Sequence, residues 1–585
     1  MPSIIDPNGV QRTQPGAYGA LRIALDLPGP APAFNVPMLI GQGSQGIPFD
    51  VADDASRFSF EATIGWHHHA SSTSLAGEVG PDAPLTIAMS YAKRHRLPFA
   101  FVAVLNGLTR GTANLSSTGP VVQAALRPRL WGAPPCWHKF AFTGSIAKIR
   151  PVRKWAMLTA NATTGDKRLY VSSNEWAVKG MTLEVGSNTV ANTSLVVRGV
   201  GFEVSATGQR RPYIDFTAGL AGSIATSGYA LVALYSSTTI DYTPADCNDL
   251  IRWLNTTDYF RAEAASGTFT NTLPSTISEV PFKQLSGATV GTSPNLTTGR
   301  VTDFVAHMQG GGWAAFVQKF KVVPRCYYLA DANATNHATL RDYAIAERVR
   351  GYPISIMSGT DWGDVDLSAG DSTSPTWRTA ALNSDEFALC ANGHNRQSAC
   401  LSTGPAVWGL RCGYPVGHNL TSDVFVGVEE WEVDWSDADD EPDTLARGGV
   451  ITNRLDVSDQ GPRIVVSQGL TTLQANAGAI WNPEDQTTWS IHQRDIADYI
   501  DRVLKFTFQA NIVGSDQVTA AGVSQAVYRR VERTLVPLGI VTAFRVTGVQ
   551  LNDAGSGWDV TWTVTTDKPS DYVSYTTTIY VGPEE

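Results

Sequence analysis

Arg494-Asp-Ile-Ala-Asp-Tyr-Ile-Asp-Arg-Val-Leu-Lys-Phe-Thr-Phe508 decides how the chain is read, because Ile496, Tyr499, Ile500, Val503 and Leu504 return on one side at helical spacing. A second helix is predicted at Val523–Leu535, where Val523, Val527, Val531 and Leu535 form an i, i+4 stripe. The period then changes from helical to twofold. Strands are predicted at Ile540–Val546 and Asp559–Thr565, the latter alternating Val560, Trp562 and Val564, with Asp553-Ala-Gly-Ser-Gly as the turn between them. Beyond Lys568-Pro569 one more strand alternates Val573, Tyr575, Thr577, Ile579 and Val581. A strand at Arg463-Ile-Val-Val and a turn at Gly469-Leu-Thr-Thr precede the first helix. Together these predict a small domain of sheet and two helices over residues 456–566, then a strand arm over 567–585.

The other end has the same design. Residues 1–35 read as an arm, punctuated by Pro15-Gly16 and by Pro28-Gly29-Pro30 with Pro32. Between these breaks Leu21, Ile23 and Leu25 alternate with Arg22 and Ala24, the signature of a strand. One strand isolated by such linkers is not stable by itself, so it must join a sheet elsewhere. The pattern leaves two outcomes open. Both end strands complete the C-terminal sheet of their own subunit, or they add to neighbouring copies by β-augmentation.

Between the ends the texture is α/β over 36–150 and again over 241–455. Val36-Pro-Met-Leu-Ile-Gly-Gln-Gly is an apolar strand entering a glycine turn, Ala83–Arg96 a helix stopped by Pro98, and Phe99–Leu105 a continuous apolar run of the kind buried in a central sheet. The later stretch predicts a helix at Thr302–Gln309, a strand at Cys326-Tyr-Tyr-Leu-Ala, a helix at Ala338–Arg350, and strands at Tyr352–Met357 and Glu386–Ala391. Residues 151–240 carry short β-rich runs between Gly, Asn, Ser and Thr turns, which predicts an inserted all-β module. Thr243–Asn255 reads as a helix returning to the α/β part, and 400–450 as irregular and rich in Gly and Trp. The fold class is therefore a multidomain α+β and α/β chain with extended arms.

A chain of 585 residues exceeds what one core holds, so several domains are expected. Its 43% hydrophobic and 17% charged residues describe a well-packed protein with a rather uncharged surface. A net charge of −10 argues against nucleic acid as a partner, which favours a basic face. The longest apolar runs fall far short of the ~20 residues that span a bilayer, so no membrane insertion is expected. Met1–Pro15 lacks a basic segment followed by an apolar core, so no secretory signal is expected either. Cys136, Cys247, Cys326, Cys390, Cys400 and Cys412 show no C-x-x-C spacing and read as thiols of a reducing cytoplasm.

No nucleophile elbow, Walker loop, H-E-x-x-H or dinucleotide fingerprint occurs in its required context, so no enzyme and no cofactor is expected. Trp66-His67-His68-His69 is the most metal-like run, yet no Cys or carboxylate cluster accompanies it and an exposed loop is expected. Acidic residues from Glu429 to Asp443 lack the glycine and terminal glutamate of an EF-hand loop. They read as a solvated face, or as a contact in which Asp437, Asp439, Asp440 and Glu441 meet Lys148, Arg150, Arg153 and Lys154 of a neighbouring subunit. Asp361-Trp-Gly-Asp-Val-Asp and the Trp-rich 400–440 region carry the competing reading, a virion-associated or secreted protein that binds or hydrolyses glycans.

The ordered residues resemble the tail-sheath proteins of contractile bacteriophages and contractile injection systems. Pro15-Gly16-Ala17-Tyr18 and the Val36 strand with its Gly-rich turn carry the N-terminal resemblance. The C-terminal one runs from Arg463-Ile-Val-Val-Ser-Gln-Gly-Leu-Thr-Thr through Trp489-Ser-Ile-His-Gln-Arg-Asp, Ile512-Val-Gly and Leu535-Val-Pro-Leu-Gly-Ile-Val to Pro569-Ser-Asp-Tyr-Val. The series covers about 120 residues, whereas about 110–300 match weakly. The resemblance implies a homo-oligomeric sheath of stacked helical rings around a tail tube, bounded by baseplate and tail terminator proteins. It places the particle in a virion assembled in a host cytoplasm, and contraction widens and shortens the tube of subunits. It implies that the arms exchange between subunits. It also implies that a helix of the C-terminal domain faces the tube, which makes Lys505, Arg529, Arg530 and Arg533 candidate tube contacts.

Overall fold

The computed structural model describes residues 4–5, 11–12, 35–43, 66–69, 71–80, 83–105, 113–116, 122–129, 138–186, 193–204, 210–225, 230–265, 269–277, 298–320, 322–360, 374–395, 400–426, 445–458, 461–475, 490–511, 519–551 and 558–566. Its centre is a seven-stranded sheet. The strands are β1 (Pro37–Gly41), β2 (Trp66–His69), β3 (Ala100–Val104), β4 (Cys326–Ala330), β5 (Ser355–Gly359), β6 (Phe387–Cys390) and β7 (Val450–Ile451). They lie in the order β7-β6-β5-β4-β1-β3-β2, all parallel except β2, which runs antiparallel to β3 at the edge. β1 and β3 are buried along their whole length, as continuous apolar runs covered on both faces must be.

Alternate residues feed two cores. One face sends Leu39, Val102, Val104, Cys326, Tyr328 and Met357 against α1 (Ser72–Val79), α2 (Pro84–Arg94) and the Ala406–Cys412 stretch of a further helix. The other sends Met38, Ile40, Phe101, Tyr327, Leu329, Ile356 and Phe387 against α3 (Thr298–His307), α4 (Trp313–Phe320) and α5 (Ala334–Val349). Local chemistry sets where these helices begin. Ser71 accepts the Ser74 amide at the start of α1, α2 starts on Pro84, and Asn333 accepts the Thr335 and Asn336 amides ahead of α5. The single helix predicted at Thr302–Gln309 is instead α3 and α4 joined by a π turn at Met308–Gly312, where Gly311 takes φ 121°.

The stretch read as irregular holds a helix. After α6 (Pro375–Leu382) comes α7 (Gly404–Gly413), in which nine residues from Gly404 to Cys412 are buried. Gly409 and Gly413 let it approach α2, since a Cβ on Gly409 would sit 2.4 Å from the Ala92 carbonyl oxygen. Trp66–His69, expected as a loop, is the edge strand β2, paired from Trp66 opposite Ala103 to His69 opposite Ala100.

Antiparallel structure is more extensive than the expected insertion. Six strands lie in the order Val152–Met157, Leu231–Tyr235, Thr182–Gly186, Thr193–Val204, Arg210–Phe216, Arg168–Tyr170. Two further three-stranded sheets join Lys139–Thr143, Ile146–Arg150 and Ile240–Tyr242, and Ala113–Ser116, Val122–Pro128 and Phe260–Ala264. The helix Cys247–Thr256 packs its Cys247, Leu250 and Leu254 into the core of these small sheets, so it is not a return to the α/β sheet. Its N-cap is Asp246, which accepts the Asp249 amide.

The C-terminal part begins with a hairpin of β8 (Asn453–Ser458) and β9 (Gly461–Val466). Then follow α8 (Ile491–Asn511), α9 (Ala520–Arg530) capped by Thr519, a π turn at Val531–Leu535, and the antiparallel strands β10 (Val541–Leu551) and β11 (Trp558–Thr566). Ile496, Ile500, Leu504, Val527, Val531 and Leu535 fill the core between the helices and this strand pair. At the N-terminus Ile4–Ile5 pairs with Gln11–Arg12, a short hairpin the sequence did not announce. The arm residues Leu21, Ile23 and Leu25, the final strand Val573, Tyr575, Thr577, Ile579 and Val581, the acidic run with Asp437, Asp439, Asp440 and Glu441, and the Asp361 motif lie outside the described residues.

Candidate functional site

The two-stranded sheet β10–β11 is the feature that differs most from a finished fold. It pairs from Val541 opposite Thr566 to Leu551 opposite Trp558, with irregular register between Val546 and Gly548. Phe544, Val546, Val549, Val560, Trp562 and Val564 share one face, and four of them pack on the helices α8 and α9. Ala543, Arg545, Gln550, Asp559, Thr561, Thr563 and Thr565 form the other face. The apolar face is only half-buried along its length. The reason is width: strands lie ~4.8 Å apart, so two of them cover about half of a helix pair set ~10 Å apart with ~10 Å diameters. Among the described residues neither outer edge carries a partner strand, and two strands alone are marginal in water.

A charged clasp fixes this unit to the central sheet. Asn35, Arg325, Ser355, Asp385 and Glu386 all lie at the N-terminal ends of parallel strands, just before or at the start of β1, β4, β5 and β6. α8 presents Arg494, Asp495 and Asp498 to them. Arg411, on α7, donates to Asp495 at 3.0 Å and to the Ser355 hydroxyl at 2.6 Å. Asp498 accepts from Arg348 at 2.9 Å, lies 3.2 Å from Arg325, and pairs with Arg494 one turn earlier on α8. Arg494 reaches Asp385 at 2.9 Å, and Arg348 reaches Glu386 at 2.7 Å. Four guanidinium groups thus meet four carboxylates.

Burial alone would raise the Asp498 carboxyl, but the Arg494, Arg325 and Arg348 guanidinium groups hold it below the ordinary value. Burial pulls Arg325 down to about 10 against the opposing pull of Asp498, so it stays charged at neutral pH. Burial likewise works against the Arg411 cation, and Asp495 more than offsets it. A buried set of this kind is costly to break, because any remaining charge is left desolvated.

The remaining candidate side chains are scattered. Arg529 and Arg533 are exposed on α9 and the π turn that follows, while Arg530 is half-buried. Lys505 lies on α8. Two of the basic residues expected to meet a neighbour already have partners in their own chain: Lys148 lies 4.0 Å from Asp241, and Arg150 lies 3.6 Å from Glu184 and over the Tyr235 ring. Arg153 and Lys154 are exposed on the edge strand Val152–Met157, beside a register shift.

Open parallel sheets bind ligands outside the strand carboxyl ends where the winding reverses, here beside β1. Gly41 closes that position by close packing: a Cβ on it would lie 3.1 Å from Ala330 Cβ and 3.2 Å from a Leu85 methyl. Nearby, Ser358 donates to the Leu329 and Asp331 carbonyls, and His337 donates its Nε2–H to the Asp331 carbonyl at 2.8 Å. Trp408, in the region read as a possible glycan surface, is fully buried and donates to the Cys326 carbonyl at 3.1 Å. Among the described residues no group of three or more His, Cys, Asp or Glu is placed to hold a metal, and no helix is long and apolar enough to cross a membrane.

No protein-family model and no curated protein matches the chain. Among solved structures it is similar to the sheath tail protein of Desulfitobacterium hafniense, at 11% identity over 92% of this chain and 98% of the other, with a TM-score of 0.46. It is similar to the sheath tail protein of Listeria innocua at 12% identity over 91% and 94% of the two chains, with a TM-score of 0.47. The helical sheath of the anti-feeding prophage in its contracted state matches 50% of this chain and 77% of its own at 13% identity, with a TM-score of 0.35.

Proposed function

We propose that the chain is a structural, non-catalytic subunit of a contractile tail sheath. It polymerises as stacked helical rings around a tail tube, between baseplate and tail terminator proteins, and contracts to drive the tube through the host envelope. The observation that carries this reading is the β10–β11 pair, too narrow for the helices behind it and followed by a chain end that alternates Val573, Tyr575, Thr577, Ile579 and Val581. An added strand supplies backbone hydrogen bonds to an edge and apolar side chains to the half-covered face. The N-terminal Leu21, Ile23 and Leu25 have the same alternation and serve a second edge. The clasp suits a rigid subunit, with Pro28–Pro32 and Asp567–Ser570 as the linkers that absorb movement during contraction.

Deleting Leu21–Leu25 or Val573–Val581 leaves a folded monomer by this reading, whereas the intact chain forms tubes in negative-stain electron microscopy. Tubes that persist after either deletion refute it. The exposed Arg529 and Arg533, with Arg530 and Lys505, are proposed to meet acidic groups of the tube protein. Arg529→Glu with Arg530→Glu then impairs sheath growth on tubes but not folding, and unimpaired co-assembly sinks that assignment.

A further inference from the structure

Two thiols lie together beneath the clasp. Cys326 opens β4 and Cys412 is the last residue but one of α7, 86 residues later, and both are buried in the same core. Three contacts place one over the other. Trp408, one helical turn before Cys412, donates its indole N–H to the Cys326 carbonyl at 3.1 Å. Arg411, immediately before Cys412, donates at 2.6 Å to the hydroxyl of Ser355, the residue paired laterally with Cys326. The two sulfurs share a hydrogen bond with each other. Of the thiols whose side chains are described, Cys390 and Cys247 lie elsewhere. Cys390 lies two strands over and several residues along, well beyond the ~7 Å between Cα atoms that a disulfide spans. Cys247 sits in the core of the small antiparallel sheets.

We infer that Cys326 and Cys412 are a latent disulfide site, closed by a two-electron thiol oxidant in the folded chain. The surroundings favour attack from one side. Burial raises both thiols, but at Cys326 the hydrogen bond from Cys412 and the Arg411 guanidinium reverse the direction, while Cys412 stays high. With diamide as oxidant, the Cys326 thiolate adds across the N=N bond. Cys412 then gives up its proton, attacks the Cys326 sulfur and expels the hydrazine. Two electrons and two protons leave the cysteines and reduce N=N to HN–NH, and one S–S bond forms. The bond ties α7 to β4, and α7 carries Arg411, which grips Asp495 of α8. Oxidation therefore stiffens the junction between the central sheet and the C-terminal unit.

The test is a thiol map of the intact folded protein, treated with diamide, then denatured and alkylated. Four of the six cysteines are expected to alkylate, and peptides bearing Cys326 and Cys412 to run as one linked species that separates with dithiothreitol. The oxidised protein is expected to unfold at higher urea than the reduced one, and Cys412→Ser to abolish both effects. Six alkylated thiols, a link involving a different cysteine, or a link formed only in urea would each overturn the inference. The wild-type map decides the matter even if the serine variant does not fold.

Discussion

Asp498→Asn removes one charge and almost no volume, which makes it the sharpest probe of the clasp. Asp498 is buried on α8 among Arg325, Arg348 and Arg494. Removing one partner of a buried pair costs about 3–5 kcal/mol, because the opposite charge stays desolvated. The structure argues for the lower end. Arg348 is part-exposed and keeps Glu386, and Arg494 keeps Asp385, so the loss falls chiefly on Arg325, whose side chain is only 6% accessible. About 3 kcal/mol over a urea slope of about 2–3 kcal/mol per molar moves the midpoint down by roughly 1–1.5 M. Urea unfolding followed by tryptophan fluorescence measures this, with Asp215→Asn as control. Asp215 pairs with Arg168 on the surface, where Arg168 is exposed and Asp215 part-exposed, and such pairs contribute at most ~1 kcal/mol. Equal, small shifts for the two variants would show that Asp498 is not desolvated and that no clasp holds α8 to the sheet.

Acid should weaken the fold in two windows. Burial lowers His337 from 6.5 to about 4, so the unfolded chain binds the proton first and on the order of 3 kcal/mol is lost as pH falls from 6.5 to 4. Asp498, held low, keeps its full contribution above ~3.9 and loses it only as pH falls further. Urea midpoints at pH 7, 4.5 and 3 separate the two, and a His337→Gln variant with an unchanged slope between pH 7 and 4.5 removes the histidine from the account. Gly409→Ala should destabilise by about 3 kcal/mol, at the upper end for overpacking, because the backbone of α2 cannot yield. A shift under ~0.5 kcal/mol in the same urea assay contradicts that packing.

What the sequence made legible follows from where each signal resides. α8 and β11 were readable because one-sided burial writes a period into the side chains, as Ile496, Ile500 and Leu504 or Val560, Trp562 and Val564 do. α7 was not, because Gly404, Pro405, Gly409 and Gly413 carry the poorest helix propensities and a helix buried all round has no polar face to set a period. Tertiary contact with α2 overrides both. β2 escaped because three histidines give no alternation, and its strand form comes from pairing with β3. The clasp draws on residues from Asn35 to Asp498, a separation no local pattern reports. One trace was present: Asp495 and Asp498 adjoin the apolar stripe of α8, where an uncompensated carboxylate would be costly.

Pattern alone left open whether the last strand completes its own sheet or a neighbour's, and amide exchange can separate the two. Residues 567–572 are six in number and reach about 20 Å at full extension, enough to fold back beside β11. Pairing within one chain is therefore sterically open and independent of concentration. Pairing between chains depends on concentration, and it leaves an edge of β10–β11 bare in the monomer. The half-buried Val560, Trp562 and Val564 favour exchange that is fast in dilute monomer and slow in tubes. Hydrogen–deuterium exchange of peptides covering 541–566, measured on dilute monomer and on assembled protein, reads this directly. Protection should rise at least tenfold on assembly, while β1 and β3, buried in both states, stay unchanged. Equal protection in monomer and assembly would assign the last strand to its own subunit and remove the main support for strand exchange.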